Sequence, residues 1–375
     1  MKKLLYIAPV IIDLERLNGV SKKVLNQYKI FSEFYKADMI SYGPDCLYYF
    51  HNNTIDTIAL DKLNRRLKLY SFIKKELVLN QYECIYIRYH LSDFLFVYLL
   101  KLLNKNNSNI AIEIPTYPYK HELLKWKKGI VRYLVDLTSQ VFLKLYVGRI
   151  ITYSNDTHIF GIKTINTING IIYEDIIPSQ KQLYLDTEIN LISVSLTMSC
   201  HGYDRLIEGL NDYYKNGGTV NVFYHLVGDG IEIEKYKELV EKYKLEKHVK
   251  FYGFKGGQEL DEIYDKADIA INSLAIHRIG LKTESTIKSK EYAAKGLPMI
   301  SSYEIDAFSP EDNKKYVLRI SADESAVNIE EVIQFYKQVY SNTDNLSTDI
   351  RNASRKRSDM RITLKEVMDY FNTSI

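Results

Sequence analysis

The stretch Glu284 to Ser302, ESTIKSKEYAAKGLPMISS, reads as a helix, a turn and a strand in immediate succession. Ser285 and Thr286 suit an N-cap, IKSKEYAAK predicts a short helix over about 286 to 295, and Gly296 with Pro298 stops it. PMISS (298–302) then reads as a buried strand. The first helical turn offers unpaired backbone N–H groups, Ile287 among them, and the positive end of the helix dipole, so it can hold an anion without a metal. Glu284, Lys288 and Glu291 fall at i, i+4 and i+7, which sets one cation between two carboxylates on one face. An ordinary solvated helix with a Lys and Glu pair has the same local signature, so the rest of the chain must decide between them.

The same alternation recurs along the chain. LISVS (191–195), VFYHLVG (222–228), VKFYG (249–253) and IAINS (269–273) read as strands, separated by helical patterns at 203–214, 232–243 and 258–266. An earlier series comprises LLYIA (4–8), ADMISY (37–42), CIYIRY (84–89), IAIEI (110–114), RIITYS (149–154) and TINTING (164–170). Alternation on this scale predicts an α/β protein with parallel sheets covered on both faces. Two series predict two Rossmann-like, doubly wound domains, 1–180 and 186–349, divided by the polar stretch around Pro178 to Glu188. The tail, about 350–375, predicts a closing helix packed back on the first domain.

The chain has 375 residues, 46% of them hydrophobic, which is enough for a large core in each domain. No apolar run reaches the eighteen or so residues of a membrane span. The N-terminus, MKKLLYIAPVIIDLER, lacks a cleavage site and reads as a buried first strand. Cys46, Cys84 and Cys200 have neither disulfide-framework nor zinc-site spacing, which fits a reducing cytoplasm. The net charge of +3 conceals an asymmetry, about +9 for residues 1–185 and about −6 for the remainder. Much of the positive charge lies in 62–77 and 120–134, where Lys and Arg interleave with apolar residues and the single tryptophan, Trp126. Such segments suit an anionic membrane surface, and solvated amphipathic helices share their composition. No recognisable nucleic-acid motif accompanies them, so nucleic acid is not expected as a partner.

Several motifs follow in order: Asn18-Gly19-Val20 opening the first helix, His201-Gly202-Tyr203-Asp204-Arg205 after the first strand of the second series, Leu226-Val227-Gly228-Asp229-Gly230, Val249 to Gly253, and the stretch through Pro298. Together they resemble the retaining glycosyltransferases of family 4, also called group 1, which have the GT-B architecture of two Rossmann-like domains facing a central cleft. The resemblance is specific over about residues 190–302. It implies a second domain that binds a nucleotide-sugar and a first domain that binds the acceptor. It assigns ribose recognition to Glu291, and diphosphate contact to Ser285, Thr286 and the Ile287 amide of the helix start. Lys288 and Arg278 would neutralise the departing diphosphate, with Tyr252 and Gly253 beside the base. Gly228 belongs to the nucleotide loop, and Gly19 lets the first-domain loop approach the phosphates. No D-x-D occurs, so neither metal nor other cofactor is expected.

The departures are specific. The first Glu of the family's E-x7-E motif falls on Thr283, and the carboxylate present, Glu284, is one step late, a rotation of about 100°. The family's R-x4-K-G has no Arg here and His201 in place of Lys, leaving His201 as a phosphate donor or a helix-start residue and Arg205 as a further candidate cation. Glu113 and Tyr117 stand where many members have a His, and are candidates for acceptor contact; Pro115 and Pro118 shape a turn there. Asp229 shapes the turn between its two glycines. The implied activity is transfer of a hexose from a nucleotide-sugar to a lipid-linked or polysaccharide acceptor in capsule- or exopolysaccharide-type biosynthesis. It would operate in the cytoplasm, peripherally at the inner face of the membrane. The displaced Glu and missing cations leave the alternative of a non-catalytic GT-B-like subunit that binds glycan or stabilises a partner.

Overall fold

A computed structural model describes residues 1–60, 64–106, 109–124, 127–180, 187–341 and 345–373. The chain divides into two compact units, Met1–Gly170 with Met360–Ile375, and Ile171–Asp359.

In the first unit the strands are β1 (Lys3–Ile11), β2 (Lys36–Tyr42), β3 (Cys46–His51), β4 (Thr54–Ala59), β5 (Cys84–Arg88), β6 (Asn109–Ile114), β7 (Arg149–Thr152), β8 (His158–Ile159) and β9 (Ile162–Asn166). They form one sheet in the order β4-β3-β2-β1-β5-β6-β7-β9-β8. The central strands run parallel, with Leu5 level with Ile85 and Ile87 with Ile112. They are buried on both faces because helices cover both, which is why they read as continuous apolar runs. The β3–β4 hairpin extends one edge antiparallel, turning through Asn52 and Asn53 at φ of 46° and 62°. Asn tolerates that left-handed conformation better than most residues.

The second unit contains β10 (Glu188–Val194), β11 (Asn221–Val227), β12 (Val249–Phe251), β13 (Ile269–Ile271), β14 (Met299–Ser301) and β15 (Val317–Arg319). The order is β12-β11-β10-β13-β14-β15 and every pairing is parallel. The sheet is therefore doubly wound, and chain direction across it reverses between β10 and β13, where such folds bind ligands beyond the strand ends. Its core is rich in tyrosines whose hydroxyls are tied inside the unit. Tyr224 shares a hydrogen bond with Ser193 at 2.7 Å, and Tyr292 accepts from the Val194 N–H at 2.8 Å. Burial without such partners would cost about 1–3 kcal/mol each.

The joins lie at Gly170–Ile171 and Asp359–Met360, where the sequence reading set about 180 and 350. The tail is not one helix. Leu346–Ser358 belongs to the second unit, Asp359 turns extended at ψ of 132°, and Met360–Thr363 with Lys365–Thr373 returns to the first. There Lys2 donates to the Phe371 carbonyl at 2.9 Å and Tyr35 to that of Met368 at 3.2 Å.

Of the two basic segments, 62–63 and 125–126, Trp126 included, lie outside the described residues. Residues 65–77 form most of the helix Arg65–Leu79, which buries Leu69 and Ile73 and exposes Lys68, Lys74 and Lys75. Arg66 is paired with Asp93 at 2.6 Å. No helix among the described residues is long and apolar enough to cross a membrane.

Candidate functional site

The loop leaving β10 carries the first group. Ser199–His201 forms one 3-10 turn, and Gly202 at φ of 63° redirects the chain into the helix Tyr203–Lys215. A Cβ on Gly202 would lie 2.6 Å from that of Ala275, so glycine is required by packing as well as by φ. The Met198 N–H donates to His201 Nδ1 at 3.0 Å, which leaves the ring proton on Nε2. The imidazole stacks on Tyr203, centroids 5.3 Å apart. Burial, and then the charge of Lys288, push His201 down to about 2. His201 is therefore neutral, and can donate one hydrogen bond but cannot supply the charge of a lysine.

The second group is the start of the helix Ile287–Lys295. Thr286 is its N-cap and accepts from the Ser289 N–H at 3.4 Å, while Ser289 Oγ returns a bond to the Thr286 carbonyl at 2.9 Å. Side-chain capping thus serves Ser289, and the preceding amide of Ile287 stays in the open first turn. Lys288 Nζ donates to Ser273 Oγ at 3.1 Å and lies 5.9 Å from the centre of the Tyr203 ring. Burial lowers its pKa to about 8, opposed by the carboxylate of Glu284 and by Cys200. Glu284 accepts from Tyr303 OH at 3.3 Å, and Tyr303 OH in turn accepts from Asn272 Nδ2 at 3.0 Å. Thr283 is exposed whereas Glu284 is half-buried, so of these two the carboxylate is the one set against Lys288.

Sequence reasoning missed three members of this group. Lys290 is fully buried, donates to Ser285 Oγ at 3.1 Å and is paired with Asp306. Asn272 and Ser273 directly follow β13 at the switch point, and Asn272 Oδ1 has no hydrogen-bond partner among the described residues. Only the run IAINS hinted at them, since polar residues directly after a buried parallel strand mark its ligand end.

A third group lies around β11 and β12. Gly228 and Gly230 have φ of 123° and 140°, and a Cβ at Gly228 would fall 2.0 Å from the Ser195 carbonyl oxygen. Gly228 N–H donates to the Gly253 carbonyl at 2.8 Å, so the two predicted loops meet. Asp229 shapes this turn through its backbone, its carbonyl accepting from the Thr197 N–H at 2.6 Å. Tyr252 OH bonds His225 Nδ1 at 2.8 Å, and His225 Nε2 bonds Asn190 Oδ1 at 2.9 Å. Tyr252 thus has its hydroxyl turned toward its own sheet. Glu291 is half-buried on its helix, near enough to Tyr264 to add to the rise that burial gives that phenol.

Two candidate cations are already matched. Arg278 donates to Asp204 at 2.9 Å and through Nε to both oxygens of Glu324, at 3.0 and 3.1 Å. These bonds, Glu324 first, raise its pKa further. Its charge is balanced by two carboxylates, so the expectation that it neutralises a phosphate is revised. Arg205 is fully buried and donates to the carbonyls of Ser325 at 2.7 Å and Ser321 at 3.0 Å, and to that of Leu274. It clamps chain segments rather than facing a ligand.

In the first unit, Glu113 is fully buried and is not an acceptor contact. It accepts from Lys23 at 2.6 Å, Arg88 at 3.0 Å, Gln27 at 3.1 Å, Tyr86 at 3.1 Å and Tyr153 at 2.7 Å. Tyr117 is half-buried and packs edge-on against Tyr119 and Phe160. Gly19 begins the helix Gly19–Phe34 behind its N-cap Asn18, and a Cβ there meets nothing within 4 Å, so packing does not demand glycine. Among the described residues, no group of three or more His, Cys, Asp or Glu is placed to hold a metal ion.

Residues 178–303 match the family described as glycosyl transferases group 1. No curated protein matches the chain. HepE from Anabaena, solved in complex with UDP, superposes with a TM-score of 0.67 at 13% identity, covering 100% of both chains. Sucrose-phosphate synthase from Thermosynechococcus elongatus superposes at 0.64 with 16% identity, covering 99% of both. WaaG, a glycosyltransferase involved in lipopolysaccharide biosynthesis, superposes at 0.57 with 12% identity, covering 99% of this chain and 100% of WaaG. At these identities the likeness is one of fold, and the fold is GT-B.

Proposed function

We propose that this glycosyltransferase moves a hexose from a UDP-sugar to a lipid-linked or polysaccharide acceptor of a cell-surface glycan, with retention of configuration and without a metal. The observation that carries the reading is Lys288, a half-buried ammonium at the start of a helix, at the switch point of a doubly wound sheet. UDP is favoured because HepE was solved with UDP and with UDP-glucose. The open amides of the helix start and Lys288 would hold the diphosphate, His201 Nε2–H would donate to it, and Glu291 would take the ribose. In the transfer, the bond between the anomeric carbon and phosphate oxygen breaks as the acceptor oxygen bonds to the same face. The acceptor's proton passes to the leaving phosphate. Lys288 stabilises the charge that grows on that oxygen, the work a divalent ion performs elsewhere. Glu284, held by Tyr303, would keep Lys288 protonated and face the sugar hydroxyls.

The three free cysteines and the nucleotide-sugar donor agree with action in the cytoplasm, at the inner face of the membrane. The test is a transfer assay with UDP-glucose and UDP-galactose after treatment with EDTA, the product's anomeric configuration being read by NMR. An α-linked product formed equally well after EDTA is expected. A β-linked product, or activity that returns only with Mg²⁺, would contradict the reading.

Binding should also move a proton. With Lys288 near 8, the empty site is partly deprotonated above that pH, and a diphosphate raises the lysine back toward its usual value. UDP binding is therefore expected to take up a proton between about pH 8 and 10, and much less near pH 6.5. Calorimetry in buffers of differing ionisation enthalpy reads this directly, and Lys288→Ala should abolish the uptake.

A further inference from the structure

The first unit has a switch point of its own, and a half-used guanidinium stands at it. From β1 the chain passes through the helix Gly19–Phe34 to β2 on one side, and β5 pairs with β1 on the other. Beyond the carboxyl ends of strands that part in this way lies the crevice where such sheets take ligands. Arg88 is the last residue of β5, and Lys23 comes from the second turn of the helix that follows β1. Both are paired with Glu113, level with Arg88 on β6. That carboxylate is fully taken up, Oε1 by Lys23, Arg88 and Tyr153 and Oε2 by Gln27 and Tyr86.

Arg88 itself is not. It is 8% exposed, yet its one side-chain bond runs from Nη1 to Glu113 at 3.0 Å. Nε and Nη2 have no partner among the described residues, and neither belongs to the unpartnered polar atoms that are shut off from solvent. An arginine buried for structure spends its donors on the chain around it, as Arg205 does on the carbonyls of Ser325 and Ser321. The two open nitrogens of Arg88 form one straight edge of the guanidinium. Their parallel N–H bonds match the paired oxygens of a carboxylate or a phosphate.

We propose that the open edge of Arg88 takes an acidic group of the acceptor, a carboxylate or a phosphate, so that this enzyme glycosylates an acidic acceptor and discriminates against a neutral one. Two cations share one carboxylate here, so an arriving oxyanion meets positive charge that Glu113 only half offsets. The same low-dielectric surroundings that make the open edge costly when empty make its bonds to an oxyanion strong. Discrimination follows from the same fact, since a neutral sugar leaves the edge unmatched. The inference rests on the reading that the first unit receives the acceptor, and it adds the acceptor's chemical class.

The test is calorimetric titration of glucuronate, glucose 6-phosphate and glucose into the full chain, with UDP saturating so that the diphosphate site is filled. At least one of the two acidic sugars should bind about tenfold or more tightly than glucose, and which of them binds better tells a carboxylate from a phosphate. Arg88→Lys keeps the charge and removes the paired N–H edge, so it should bring the acidic sugars down to the level of glucose. Circular dichroism and UDP binding are expected to stay unchanged in the variant. If Arg88→Lys does not fold, a crystal structure of the wild type with UDP and the tighter acidic sugar decides, with the acid oxygens expected on Nε and Nη2 of Arg88. The proposal is overturned if neither acidic sugar binds better than glucose, if Arg88→Lys binds them as the wild type does, or if the crystal places the acid group elsewhere. A wild type that fails to bind UDP counts instead against the glycosyltransferase reading, and the same titrations without UDP still decide for or against Arg88.

Discussion

Lys288→Ala is expected to lower turnover by a factor of about a hundred while leaving the fold intact. The ammonium is held by Ser273 Oγ at 3.1 Å above the face of Tyr203, a geometry that costs solvation before any ligand arrives. That cost is the basis of its effect. A charge already stripped of water needs no reorganisation when a diphosphate leaves, so its stabilisation of the developing oxyanion is large. Removing it should relieve the protein of a partly buried cation, so thermal stability should hold or rise slightly near neutral pH. The sign follows from the pKa: a lysine lowered to about 8 from 10.5 disfavours the folded state below about pH 8, and that penalty fades as pH rises toward 10.5. Steady-state kinetics with a scanning-calorimetry control check both halves. Near-normal turnover in the mutant would remove Lys288 from the mechanism.

Glu113→Ala is expected to have the largest effect on stability, a loss of about 3–5 kcal/mol by denaturant unfolding. Five donors converge on this carboxylate, and two of them, Lys23 and Arg88, are themselves buried cations. Without Glu113 both would lose the buried carboxylate that faces them, which costs more than the pair gained on folding. Burial alone would raise the Glu113 pKa, but Lys23 and Arg88 hold it down to about 2, against a usual 4.5. Its contribution is thus fully present above about pH 4.5 and is lost as pH falls through about 2. The wild type should therefore lose stability over that acid window, and the mutant should lose less. Glu113→Gln keeps the shape and not the charge, so it should be destabilising as well. A neutral outcome for both would mean that the cluster is not structural.

The same two residues show what the sequence can reveal. IAIEI and CIYIR were legible as central parallel strands, because burial on both faces leaves continuous apolar runs. The charges inside them were equally legible, and Arg88 and Glu113 are direct partners in the β5–β6 register. A carboxylate in a doubly buried strand calls for a cation, so Glu113 could have been assigned to the core from that fact. Lys23, ninety residues earlier in sequence, could not have been named.

Arg278 shows the opposite limit. It stands beside the donor motif as an apparently useful cation, and only folding brings up Asp204, 74 residues away, to neutralise it. The helix start at Thr286 was visible because capping is local chemistry, whereas Lys290 and Asp306 meet only through the tertiary fold. The β3–β4 hairpin has a short-range signal in His51-Asn52-Asn53-Thr54, but its strands are antiparallel and lie outside the alternation of strand and helix that marks the parallel sheet. β15, three residues at a sheet edge, carries too little periodicity to read at all.

On the proposed reading, the Lys288 helix start holds the diphosphate of a nucleotide-sugar. Calorimetric titration of UDP-glucose, and of GDP- and dTDP-sugars, into EDTA-treated wild type and into Lys288→Ala is the test. Saturable binding to the wild type, strongly weakened in the mutant, is the predicted result. Equal binding by both, or no binding of any UDP-, GDP- or dTDP-sugar by the wild type, would contradict it.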